Sequence, residues 1–304
     1  MSSVSSVSPA APVLSPAERP AALADWSLIA VPGVIWGASF LFIAEGLKAV
    51  APMGVTVLRI AIGFVVLAVF PAAWKGIERK DWSKIAWLGL LWMAFPLSMF
   101  PFAEQRISSA IAGMLNGSVP LTTAIIASII ARRLPARGVI AGLGVGLVGV
   151  VMMAVPDLGS ASRAAGIAMV TIACVSYGFA PNIARPLQHK YGALPVIWRA
   201  QMVALALTLP LGFRDVLQAQ WSLGPVLALL GLGALGTGAA HVVMTVASGR
   251  LGATKASAAA FLIPPVALLL GVLVRGERVA VIAVAGGALC VAGAWLMRRS
   301  NVAR

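Results

Sequence analysis

Runs of about 20 mainly apolar residues recur ten times along this chain, and few folds can absorb even one such run away from a lipid bilayer. They fall at 26–46, 54–73, 84–103, 108–130, 138–155, 164–184, 194–213, 222–247, 252–274 and 279–297, and the connections between them are too short for a soluble domain of useful size. The sequence therefore predicts an all-α membrane protein of ten transmembrane helices. Composition agrees. Of 304 residues 60% are hydrophobic and 11% charged, against about 45–50% and about 25% in a soluble domain. A net charge of +14 would suggest nucleic acid as a partner in a soluble chain. Here the Lys and Arg lie in the connections, so a bilayer and no nucleic acid is the expectation. Cys174 and Cys290 sit inside apolar runs and are read as packing residues. Residues 1–24 are rich in Ser, Pro and Ala without a basic start, which reads as a disordered cytoplasmic tail rather than a signal peptide.

The distribution of basic residues sets the expected orientation, because cytoplasmic loops retain Lys and Arg. Both termini inside gives fifteen basic residues on the cytoplasmic face, including the tail 298–304, and six on the other; Arg59 and Arg199 lie within spans. Each half, 26–155 and 164–297, then holds five spans. An odd number makes the second half enter the membrane upside down relative to the first.

The halves are also related in sequence. Arg106 to Pro120 returns 144 residues later as Arg250 to Pro264, and the same offset places Gly142 on Gly286, Gly149 on Gly293 and Met153 on Met297, with Ala112, Ala136 and Ala141 also matched. Mid-span Pro and packing Gly are positions where identity has a backbone reason, so an inverted duplication keeps them in register.

Several residues carry a family resemblance: Trp36-Gly37, Val57-Leu58-Arg59-Ile60, the Pro-centred fourth span and the Gly-spaced fifth, answered by Tyr177-Gly178, Ile197-Trp198-Arg199-Ala200, Pro264 and Gly276-Glu277. Over about 26–297 the chain resembles a pair of EamA repeats of the drug/metabolite transporter superfamily. It departs from that pattern in having Arg133 where the second half has Glu277, and Tyr177 where the first has Trp36. The resemblance implies a carrier of small metabolites such as amino acids, usually an exporter, multi-pass in a bacterial inner membrane and without a cofactor.

Few side chains inside the spans could carry chemistry. Trp36 and Tyr177 lie too deep for the interfacial aromatic belt and suit a central cavity or core packing. Asn116, one turn before Pro120, and His241 are polar groups that would line the same path or bond a neighbouring helix. Arg59 and Arg199 would either tie helix ends to carbonyls or act as gate or substrate-anion residues, since the guanidinium fork matches a carboxylate. Pro120 and Pro264 should break their helices near the midplane. Glu104 reads as an interfacial helix end, leaving no carboxylate at mid-membrane depth. The run Gly231, Gly233, Gly236, Gly238 would weaken its helix into a hinge. The Gly faces of the fifth and tenth spans would pack within the protomer or support a homodimer.

No GxSxG, HExxH, deep carboxylate pair or metal-binding set is present in the sequence, so an intramembrane enzyme is disfavoured. A receptor or structural membrane protein is the alternative, but it would need no inverted duplication. A carrier moving a small-molecule substrate by alternating access fits best.

Overall fold

A computed structural model describes residues 18–251 and 253–302, so the expected tail lies mostly outside the described residues; from Glu18 onward the backbone is already helical. Ten helical segments follow in order: α1 Glu18–Gly46, α2 Pro52–Ala68, α3 Arg79–Glu104, α4 Ser109–Ala131, α5 Arg137–Ala154, α6 Ala161–Tyr191, α7 Ala193–Leu217, α8 Leu223–Leu251, α9 Ser257–Arg275 and α10 Val281–Val302. Nine of them are long and apolar enough to cross a membrane, and α2, at 17 residues, is shorter. The second span was expected to reach residue 73. It ends earlier because Pro71 starts a short 3₁₀ turn that the following Lys75-Gly76 cannot extend into a helix.

The two five-helix halves are inverted, as the antiparallel contacts between corresponding helices show. Helices α5 and α10 run against each other: a Cβ on Gly142 would lie 2.7 Å from the Gly293 carbonyl oxygen, and one on Gly149 2.5 Å from that of Gly286. Since Gly142 corresponds to Gly286 and Gly149 to Gly293, each contact is the image of the other under a twofold relation. Gly212 against Met53 and Val57 at one end, with Arg199 bonded to Ala73 at the other, sets α7 antiparallel to α2, and Gly117 against Pro264 crosses the centres of α4 and α9. Gly89 abuts Ala200 and Val203 of α7, while Gly233 abuts Arg59 and Ile62 of α2, which is the same contact made twice. These small residues let backbones approach where lipid tails offer no hydrophobic drive for association. The glycines expected to support a homodimer, Gly142, Gly149, Gly286 and Gly293, are thus occupied inside the chain. Gly144, on the other side of α5, faces open space.

Four helices are irregular at mid-depth. α4 turns at Gly117–Ser118 and restarts at Val119 with Pro120 in its first turn; α9 begins as a 3₁₀ stretch, Ser257–Leu262, and becomes α-helical at Ile263 with Pro264 in its first turn. Both α3 and α8 widen into π-helix, at Gly89–Ala94 and Gly231–Ala239. In α3 the cause is Pro96, which lacks a donor and pushes away the carbonyl one turn back; in α8 it is the glycine run. The segment expected as a hinge is therefore a continuous but widened helix.

Outward-facing Val65, Ile129, Leu211, Leu273 and Val281 are exposed, a pattern that suits lipid rather than water. Arg199, by contrast, is buried and ties helix ends together: Nη1 donates to the Ala73 carbonyl (2.9 Å) and Nη2 to that of Trp74 (3.4 Å), and the guanidinium lies 5.4 Å from the Trp198 ring.

Two stability predictions follow from this packing. Gly149→Ala should destabilise the detergent-solubilised protein by about 1–3 kcal/mol, because its Cβ meets backbone that cannot yield, whereas Gly144→Ala should stay within about 0.5 kcal/mol; thermal unfolding reads both. In the same assay Arg199→Met should cost about 1–3 kcal/mol by orphaning buried carbonyls, while Lys48→Met, at a solvated helix end, should cost about 0.5 kcal/mol or less.

Candidate functional site

The π segments expose backbone carbonyls that cannot be left bare in a membrane interior, and the side chains that reach them outline a central site. In α8, Thr237 Oγ1 donates to the Leu232 carbonyl (3.1 Å), Gln201 Nε2 from α7 donates to that of Thr237 (2.7 Å), and Trp36 Nε1 from α1 donates to that of Gly236 (3.0 Å). In α3 the corresponding bond comes from α6, where Ser176 Oγ donates to the Leu91 carbonyl (2.7 Å). Trp36 and the Ser176–Tyr177 pair occupy matching places in the two halves, so their rings are held at matching places beside the axis between the halves.

Between these elements lies a cavity of about 960 Å³ lined by both halves: Trp36, Arg59, Trp92, Phe100 and Asn116 from the first, Tyr177, Thr237 and His241 from the second. Its aromatic rings touch one another. Trp36 and Trp92 each meet His241 edge-on, at centroid distances of 5.6 and 5.8 Å, and Phe100 packs on Phe40 at 5.5 Å and on Tyr177 at 6.1 Å. One end of the cavity is walled by Phe40, Ile43 and Phe100, all buried; at the other, Arg185, His189 and Gly249 line it and are exposed. The cavity is therefore open at the end where α6 and α8 finish and closed at the other.

Each end has its own polar fastening. At the closed end Arg275 bridges Glu45 (2.7 Å) and Glu277 (3.0 Å), and Glu277 accepts from Ser109 Oγ and from the backbone N–H groups of Ser109 and Ala110, capping the start of α4 across the two halves. At the open end Glu78 pairs with Lys190 and Lys80, and Asp81 accepts from Tyr191 Oη (2.7 Å) and pairs with Lys84 and Lys190. The two lysines beside Glu78 hold its carboxyl down at about 2.

Of the residues singled out from the sequence, Trp36, Arg59, Asn116, Tyr177 and His241 share this cavity. Arg199 does not. Its matching place in the repeat suggested a role at the opposite end of the path, but its guanidinium is spent on the Ala73 and Trp74 carbonyls, so tertiary bonding decides against a lining position. Pro120 and Pro264 stand outside the lining while the breaks they start bring Asn116 and Ile263 into it. The expectation for Glu104 is also corrected: both carboxyl oxygens are buried and make no hydrogen bond among the described residues. Trp92, Phe100 and Thr237 were not foreseen. Thr237, a lone polar residue in a glycine run, was the one legible signal among them.

Comparison with known proteins fits this architecture. An EamA-like transporter family model matches residues 26–155 and again 164–299. Among relatives, a protein of Streptantibioticus cattleyicolor described as a "Probable terminal-alkyne amino-acid exporter" is 27% identical over 92% of this chain and 95% of its own length. An uncharacterized transporter of Archaeoglobus fulgidus is 26% identical over 91% of this chain and 99% of its own. A crystal structure that is 19% identical superposes with a TM-score of 0.61 over 90% of this chain and 96% of that one, a likeness of fold. With the family model matched in both inverted halves, this membrane protein belongs to the EamA-like transporter family.

Proposed function

We propose that the protein exports small metabolites, amino acids or similarly amphipathic compounds, across a bacterial inner membrane by alternating access. The observation that carries this reading is the cavity between two inverted halves, open at one end and fastened at the other. Trp36, Asn116, Tyr177 and His241 form the substrate path, and the two breaks before Pro120 and Pro264 allow the crossing centres of α4 and α9 to re-pack as the closed end opens. Mostly apolar walls with a few polar groups suit an amphipathic solute better than an ion or a large sugar. The amino-acid export named for the Streptantibioticus relative supports the same substrate class.

The basic residues put the exposed mouth, with Arg185, His189 and Arg250 near it, on the cytoplasmic side, so substrate enters from the cell interior. Reporter fusions check that orientation: those after Arg304 and in the 75–78 connection should report cytoplasm and one in the 156–163 connection the opposite face. Agreement between the last and the first two would overturn it.

Transport itself is tested by export from cells expressing the protein, with metabolites profiled in the medium. Trp36→Ala and Tyr177→Ala should each lower export of the responding compound about tenfold or more while leaving the protein abundant and folded, since each removes a wall of the path. Unchanged export in both variants would return the two rings to core packing.

A further inference from the structure

We propose, building on the transport reading, that the cavity selects its substrate by charge: it takes amphipathic carboxylates, with the carboxylate on Arg59, and rejects amphipathic cations. Arg59 comes from α2, is 5% exposed, and lines the cavity. Its Nε donates to Thr237 Oγ1 at 3.3 Å, and no carboxylate among the described residues stands within 4 Å of its guanidinium, whereas Lys84 has one and Arg275 and Lys190 have two each. Glu104 and Tyr177 are the ionisable groups in its surroundings. Neither takes its fork. Glu104 lies one turn beyond Phe100, outside the cavity lining, with its own oxygens unbonded. Tyr177 offers a neutral ring.

The one other permanent charge named in the lining has the same sign: Arg185 stands at the mouth, and neither Asp nor Glu lines the cavity among the described residues. A guanidinium held in a low-dielectric interior without a paired anion gains strongly from a carboxylate that can accept both of its forked donors. A cation entering the same space meets like charge with no carboxylate to offset it. The buried Asn116 Oδ1 makes no hydrogen bond and lines the same cavity, so it can accept from an ammonium or amide group. A neutral α-amino acid brings both a carboxylate and such a donor. Trp36, Trp92, Phe40 and Phe100 then enclose an apolar side chain. Amino acids with apolar side chains, and simple carboxylates of the same shape, form the substrate class; amines, amino-acid amides and cationic dyes fall outside it.

Equilibrium binding of radiolabelled leucine to the purified full-length protein tests this, with three competitors of the same skeleton: 4-methylpentanoate, which keeps the carboxylate; leucinamide, which masks it; and isoamylamine, which lacks it. Leucine and 4-methylpentanoate should compete about tenfold to a hundredfold better than the two amines, the range expected for a charge-assisted pair. Arg59→Gln should abolish that preference, and Arg59→Lys should keep part of it, retaining the charge but not the fork. The competition on the unmodified protein stands even where a variant fails to fold. Amines that compete as well as carboxylates, a preference that survives Arg59→Gln, or no leucine binding at all would overturn the proposal. Counterflow in proteoliposomes separates this from the transport reading: movement of isoamylamine but not leucine leaves the carrier standing and removes charge selection, whereas movement of no amphipathic solute removes the carrier reading.

Discussion

Inside a bilayer every backbone carbonyl must find a donor within the protein, and this requirement governs how the centre of the molecule is built. Regular helices meet it within themselves. The widened turns of α3 and α8 do not, and the carbonyls they expose are bonded by side chains from neighbouring helices: Ser176 on Leu91, Trp36 on Gly236, Gln201 on Thr237. Each of these bonds fixes a ring or a polar group beside the axis between the halves. The same irregularity that would be costly in a straight helix thus positions the groups that face the cavity.

Inversion supplies the frame around this centre. Corresponding helices meet antiparallel, and the contacts of Gly142 with Gly293 and Gly149 with Gly286 are one contact seen from both halves. The helix ends show the same correspondence: Arg132 closes α4 and Gly276 closes α9, both in the left-handed region with φ of 50° and 66°. Arginine there bears a strain that glycine does not. Arg59 and Arg199 are not images of each other in this packing: Gly233 meets the Arg59 carbonyl where Gly89 meets that of Ala200, so Arg199 sits one residue off the matching place. It is bound to carbonyls of the 3₁₀ turn after α2, while Arg59 lines the cavity and donates to a threonine hydroxyl.

The two ends are fastened by different chemistry, although both join one half to the other. At the closed end one arginine holds two carboxylates, and Glu277 reaches across to cap α4, a residue whose place in the first half is taken by Arg133. At the open end Glu78 and Asp81 hold Lys190 and Tyr191 at the tip of α6, leaving the mouth between α6 and α8 clear. Opening the closed end would break a charged bridge set in partly buried surroundings.

Much of this was legible in the sequence, because the bilayer imposes length, apolarity and backbone self-sufficiency on each segment separately. Ten spans, the odd number in each half, the breaks near Pro120 and Pro264 and the small-residue faces all follow from local composition and spacing. Trp36, Tyr177, Asn116 and His241 could be read as candidates for a cavity lining, being deep or polar, and they do line the cavity. Other features depend on which helix a side chain meets. Arg59 and Arg199 sit alike in sequence, yet one lines the cavity and the other clamps a loop. Glu104 looks like a solvated helix end, yet both its carboxyl oxygens are buried in the fold. Trp92 and Phe100 are indistinguishable from core residues until α3 is placed beside α1, α6 and α8. The number and weak points of the helices are properties of each segment in lipid and so can be read locally; which polar groups are bonded and which face the cavity depends on contacts between segments distant in the chain.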